Sequence, residues 1–181
     1  MAEEYEEYKI LITGTMGAGK TTAICAVSQM KVVSTDVHNM DRAESAKATT
    51  TVGLDYGEVT IGDGAVLRLY GTPGQARFRF MWEILAKGAL GLIVLVDNSR
   101  KSPLEDLTIY LDNFRPLVDK GAVVVGVGRT ETHPAPGVDD YYEYLSDRGL
   151  MLPVLSVDVR QREDVLMLFD VLFSVLELAD G

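Results

Sequence analysis

The chain has 181 residues, 47% hydrophobic and 24% charged, enough for one globular domain with a sizeable core. A formal net charge of −10 argues against a nucleic-acid partner and against an anionic membrane surface. The only cysteine, Cys25, excludes a disulfide within the chain and is expected as a small core residue.

Met1 to Glu7 is acidic and has neither the basic start nor the apolar middle of a secretory leader, so this segment is expected to lie outside the fold. No apolar run is long enough to span a bilayer, and neither end carries a lipidation signal. The expected setting is cytoplasmic, with no direct membrane anchor. Tyr8 to Thr13 reads as a buried strand. It runs straight into Gly14-Thr15-Met16-Gly17-Ala18-Gly19-Lys20-Thr21, which matches the phosphate-binding loop G-x-x-x-x-G-K-[ST], and Thr22 continues into a helix. The residue types follow from the ligand. Gly14, Gly17 and Gly19 let backbone N–H groups curl inward around phosphate, and Ala18 is small enough to keep the loop tight. Lys20 supplies a point charge for the β- and γ-phosphates, and Thr21 is placed to ligate Mg²⁺.

Further along, Lys31 to Thr35 predicts a short strand and Asp36 to Thr50 a long polar loop. Val52 to Val59 alternates in part, Gly62-Asp63-Gly64 signals a hairpin, and Ala65 to Tyr70 returns as the partner strand. Gly71-Thr72-Pro73-Gly74-Gln75 breaks regular structure before a helix from about Arg77 to Leu85. Leu90 to Asp97 and Ala122 to Val127 are apolar almost throughout, as strands covered on both faces are. Pro103 starts a helix reaching towards Val118, with Pro116 able to end or kink it. Asp139 to Arg148 and Arg162 to Leu178 read as helices, separated by a short strand at Leu152 to Leu155. This alternation predicts an α/β fold of one domain, a mixed, mostly parallel six-stranded sheet with helices on both faces.

With the P-loop in place, the chain resembles the Ras-like small GTPases along nearly its whole length, most closely the bacterial Mgl-like members. Thr51-Val52-Gly53-Leu54-Asp55-Tyr56 is similar to the T-I-G-V-D-F of switch I in Rab-type members. The resemblance implies that Thr51 ligates Mg²⁺ and senses the γ-phosphate, with Thr49 and Thr50 as alternative registers. The stretch between Lys20 and Thr51 is longer than in that family. Gly71 to Phe78 resembles the switch II stretch D-T-A-G-Q-E-R-F, which implies that the Gly74 N–H holds the γ-phosphate and Gln75 orients the attacking water. Gly71 replaces an Asp that holds Mg²⁺-bound water, which implies weaker metal binding. Pro73 points to the Mgl-like group, whose regulators have the Roadblock fold. Met16 stands where Ras has a glycine beside the γ-phosphate, implying slow unaided hydrolysis. Arg77 and Arg79 are candidate arginine fingers or solvated side chains.

The base-reading motif N-K-x-D is altered to Gly128-Arg129-Thr130-Glu131. The resemblance implies that Glu131 accepts from guanine N1–H and its 2-amino group and that Arg129 covers the base, while the missing Asn removes a tie to the P-loop. Ser156-Val157 resembles the S-A-K motif, implying a Val157 N–H that meets guanine O6. The expected ligands are GTP or GDP with Mg²⁺, and the expected partner is a Roadblock-type regulator. A non-hydrolysing nucleotide-binding scaffold and an adenine-nucleotide ATPase are the alternative readings of the same residues.

Overall fold

The apolar runs find partners on both sides of one sheet. The computed structural model describes residues 6–38, 51–62 and 64–181, and the side chains of residues 35–38, 51 and 52 lie outside that description. The strands are β1 (Glu7–Gly14), β2 (Val33–His38), β3 (Thr51–Ile61), β4 (Ala65–Gly71), β5 (Ala89–Asp97), β6 (Val123–Gly128) and β7 (Val154–Ser156). They pair in the order β2-β3-β4-β1-β5-β6-β7, and only β3 runs against the rest. The sheet has seven strands rather than six because both short edge segments, β2 and β7, pair into it.

The helices are α1 (Lys20–Val27), α2 (Arg79–Ala86, after a 3-10 turn at Ala76–Phe78), α3 (Pro103–Asn113), α4 (Arg115–Asp119), α5 (Val138–Ser146) and α6 (Arg162–Asp180). The predicted helix through Val118 divides at Phe114, where Pro116 forces a restart. Successive strand residues face opposite sides, so β1 sends Leu11 to one core and Ile10 and Ile12 to the other. The Leu11 layer is closed by α2, α3, α4 and α5 around Trp82, Phe114 and Tyr141. The Ile10 and Ile12 layer is closed by α1 and α6. Arg162, opening α6, donates to the Ala26 and Val27 carbonyls and so caps the end of α1.

Two expectations are corrected. Cys25 is exposed, because α1 buries Ala23, Ile24 and Val27 and turns Cys25 away from the sheet. Glu7 belongs to the fold: it opens β1 opposite Val66 and pairs with Arg68 at 2.6 Å.

One close approach fixes how β3 lies against α1. A Cβ on Gly57 of β3 would lie 2.7 Å from Ile24 Cγ2 and 2.8 Å from Ser28 Oγ, so β3 and the end of α1 touch backbone to side chain. We expect Gly57→Ala to lose about 1–3 kcal/mol by overpacking, read as a lower urea midpoint. Gly53→Ala, where a Cβ meets nothing within 4 Å, is the neutral control.

Candidate functional site

The P-loop joins β1 to α1 and curls over the carboxyl ends of the parallel strands, where ligands of such sheets sit. Gly14 has φ 148°, and a Cβ there would strike the Leu95 carbonyl oxygen at 2.2 Å, so only glycine fits. Lys20 reaches back over the loop and donates to the Gly14 and Thr15 carbonyls, both at 2.8 Å. Burial pushes its pKa down to about 8, and the charge of Asp55 offsets only part of that. Thr21 donates its hydroxyl hydrogen to Asp55 Oδ2, and Ser34 Oγ donates to Asp55 Oδ1 at 2.5 Å. Thr15 Oγ1 is buried and has no hydrogen-bond partner among the described residues. A desolvated ammonium, an unsatisfied hydroxyl and a Thr beside a carboxylate fit a phosphate group carrying Mg²⁺.

The segment after β4 lies directly on this loop. Thr72 N–H donates to the Ile12 carbonyl, and the Thr72 and Thr13 hydroxyls share a buried bond of 2.6 Å. A Cβ on Gly74 would lie 2.6 Å from Met16 N and 2.8 Å from Lys20 Nζ, so a side chain at 74 would have to push this loop off the P-loop. Two aromatics hold it from beneath. Trp82 Nε1 donates to the Pro73 carbonyl at 2.8 Å, and Tyr110 OH donates to the Gly74 carbonyl at 3.0 Å. Their rings pack 5.0 Å apart. Trp82 and Phe78 are therefore core residues, while Phe80 is exposed. Gln75 is half-buried and points its amide at Met16 Sδ, 3.6 Å away. Arg77 and Arg79 are exposed. Thr51 opens β3 opposite His38; its side chain, Thr49 and Thr50 lie outside the described residues.

At the other end, Arg129 has an unexpected job. It adopts the left-handed conformation at φ 62°, donates to the Gly17 carbonyl at 3.1 Å and pairs with Asp97 Oδ2 at 2.5 Å. The tie between base loop and P-loop expected to be lost with Asn is thus made by Arg129. Burial raises the Asp97 pKa, but hydrogen bonds from Ser99 and Arg129 outweigh it, and the net shift is downward. Asn98, buried beside it, donates to the His133 and Pro136 carbonyls and accepts from Tyr141 OH. It braces the base loop from β5; its place at a strand end was the available signal.

The Val157 N–H, expected at guanine O6, donates instead to the Val127 carbonyl just beyond the β6–β7 pairs. Ser156 and Thr130 share a hydroxyl bond of 2.5 Å, which links the two loops. Val159 presses on Gly19, where a Cβ would meet its Cγ2 at 2.6 Å. Asp158 is held by both Arg160 nitrogens and its pKa falls to about 2. Glu131 is exposed and makes no hydrogen bond or ion pair among the described residues. One open cleft of about 990 Å³ runs from Lys20, Thr21 and Thr22 past Met16, Gly17, Ala18, Gly19 and Gln75 to Arg129, Glu131, Ser156 and Val157.

Comparison with known proteins points the same way. Residues 39–114 match a family described as a conserved hypothetical ATP binding protein. The chain is 24% identical to the Ras-related protein RabC of Dictyostelium discoideum, over 97% of this chain and 86% of that one. It is 29% identical to the human Ras-related protein Rab-4B over 71% of this chain and 56% of that one. An uncharacterized protein of Methanocaldococcus jannaschii is 33% identical over 56% of this chain. The match spans 58% of that archaeal protein's length, so it covers only part of it. Fold, P-loop and relatives together support a nucleotide-binding P-loop protein of the small-GTPase kind. Among the described residues no helix is long and apolar enough to cross a membrane.

The depressed Lys20 pKa has a sign that can be tested. Between about pH 8 and its ordinary value of 10.5, the free folded protein binds fewer protons than the unfolded chain, so its own stability rises with pH there. A phosphate anion beside Lys20 reverses this by restoring the proton. We expect nucleotide affinity to fall above about pH 8, by up to about tenfold per pH unit. Calorimetry at pH 8.5 in buffers of differing ionisation enthalpy should report proton uptake on binding, and its absence would remove Lys20 as the phosphate partner.

Proposed function

We propose that the chain is a small GTP-binding protein that alternates between GTP and GDP forms and hydrolyses GTP slowly until a partner activates it. The observation that carries this reading is a continuous cleft of about 990 Å³ joining the P-loop to the Arg129–Glu131 loop, with room for phosphates at one end and a base at the other. Lys20, Thr21 and the P-loop N–H groups hold the phosphates, and Mg²⁺ would neutralise the charge spread over them. Thr51 senses the γ-phosphate from the start of β3. Gly74 N–H meets it from the other side, and Gln75 orients water. Glu131, which makes no hydrogen bond or ion pair among the described residues, accepts from guanine, and bonds to such a charged acceptor are worth about 1.5–3 kcal/mol each.

Activation from outside is part of the proposal. Met16 is 66% exposed at the mouth of the cleft and accepts from the Gln75 amide nitrogen at 3.6 Å, a contact that Gln75 would exchange for one to water. An activator that displaces Met16 or brings an arginine could raise the rate by about 10³–10⁵. A Roadblock-fold regulator is the partner this reading favours, supported by the Mgl-like Pro73 in switch II. A second reading, adenine-nucleotide binding, is favoured by one observation: the Val157 N–H is taken by Val127 and leaves no donor there for guanine O6.

Calorimetric titration with GDP, GTP, ADP and ATP separates the two. We expect a guanine preference that falls at least about tenfold in Glu131→Ala, in line with one lost bond to a charged group. Equal or adenine-preferring binding would sink the guanine reading. Gln75→Leu should leave GTP affinity unchanged and slow single-turnover hydrolysis by at least about tenfold. Turnover equal to the parent would take Gln75 out of the reaction, and no turnover in either protein would favour a non-hydrolysing scaffold.

A further inference from the structure

Residue 71 is glycine where the resemblance calls for an aspartate, yet a carboxylate stands beside it. Asp55 lies directly opposite Gly71 across β3–β4 and opposite Ser34 across β2–β3. A Cβ on Gly71 would sit 3.2 Å from Asp55 Cβ and 3.4 Å from Asp55 Oδ2. The Asp55 side chain therefore fills the space that a side chain at 71 would enter. It faces α1 together with Gly57, two residues on, as strand alternation requires.

The surroundings of that carboxylate are unusual for a structural one. Asp55 is only 7% exposed and makes no ion pair among the described residues. Its hydrogen bonds come from two hydroxyls, Thr21 and Ser34. Lys20 is near enough for the two charges to interact but does not pair with it, so a further cation would stabilise this buried carboxylate. Each oxygen retains acceptor capacity after one hydroxyl bond. The Thr21 hydroxyl that gives its hydrogen to Asp55 keeps its lone pairs for a metal, and metal-ligating groups are commonly oriented by such partners.

We propose that Asp55 supplies from β3 the carboxylate missing at position 71, orienting Thr21 and accepting from the water of the nucleotide-bound Mg²⁺. This rests on the P-loop reading and not on which base is bound. Metal binding is then restored by a neighbouring strand, and the weakening implied by Gly71 is offset from directly across the β3–β4 pairing.

The test uses release of fluorescent mant-GDP or mant-ADP, whichever the protein binds, in excess Mg²⁺ and in EDTA. In the parent, chelation should speed release, and the Mg²⁺ needed for half-maximal slowing should be sub-millimolar. Asp55→Asn keeps the shape and acceptor for Thr21 but not the charge, and should need about 10–100-fold more Mg²⁺. The exchange variant Asp55→Gly with Gly71→Asp moves the carboxylate across the rung and should return Mg²⁺ dependence towards the parent. Thermal melts of both variants establish folding. A folded Asp55→Asn with parental Mg²⁺ dependence would overturn the proposal, as would a folded exchange variant that ignores Mg²⁺. A protein that binds mant-ADP but not mant-GDP would fail the guanine reading while leaving this one standing. Binding of neither would fail both.

Discussion

The Lys20 ammonium, taken largely out of water and given only two loop carbonyls in return, is the constraint around which this molecule is arranged. A cation so placed is held at a cost until an anion arrives. The P-loop backbone, the opening of α1 and the Gly74 segment all converge on it. The carboxylate of Asp55 approaches from β3 and moderates the charge without pairing with it. The strand order follows from the same need, since β4, β1 and β5 deliver their carboxyl ends to one rim.

The loops of that rim are bound to each other as well as to the sheet. Arg129 spans the Gly17 carbonyl and Asp97, and Val159 packs on Gly19. Arg129 and Val159 thus join the two ends of the cleft through contacts of hydrogen-bond and van der Waals length. The support of this end therefore comes from Arg129 itself and from the end of β5. Asn98, one strand away, carries the remainder by satisfying two carbonyls of the 128–137 segment.

The segment after β4 is held by another logic. Its carbonyls at Pro73 and Gly74 are tied to Trp82 and Tyr110, whose rings belong to the core. Moving this loop means breaking two hydrogen bonds to buried donors, and leaving such donors unpaired is costly. A loop anchored in this way has defined positions rather than a continuum, because a packed core does not deform gradually.

The sequence by itself determined the sheet, the P-loop and the order of elements, because these depend on local signals: apolar runs, glycines at fixed offsets, a Lys-Thr pair after a strand. It also located the altered base loop and the glycine at 71. It could not say what stands beside either one. Asp55 opposite Gly71 is a matter of register between two strands, and Arg129 on Gly17 joins residues far apart in the chain. Val157 had the right spacing for a base contact, yet the Val127 carbonyl claimed its N–H. Cys25 had a core residue's composition, but the rotation of α1 on the sheet put it in water. Local pattern fixes which segments are strands and helices; only their packing decides which partner each polar group finds.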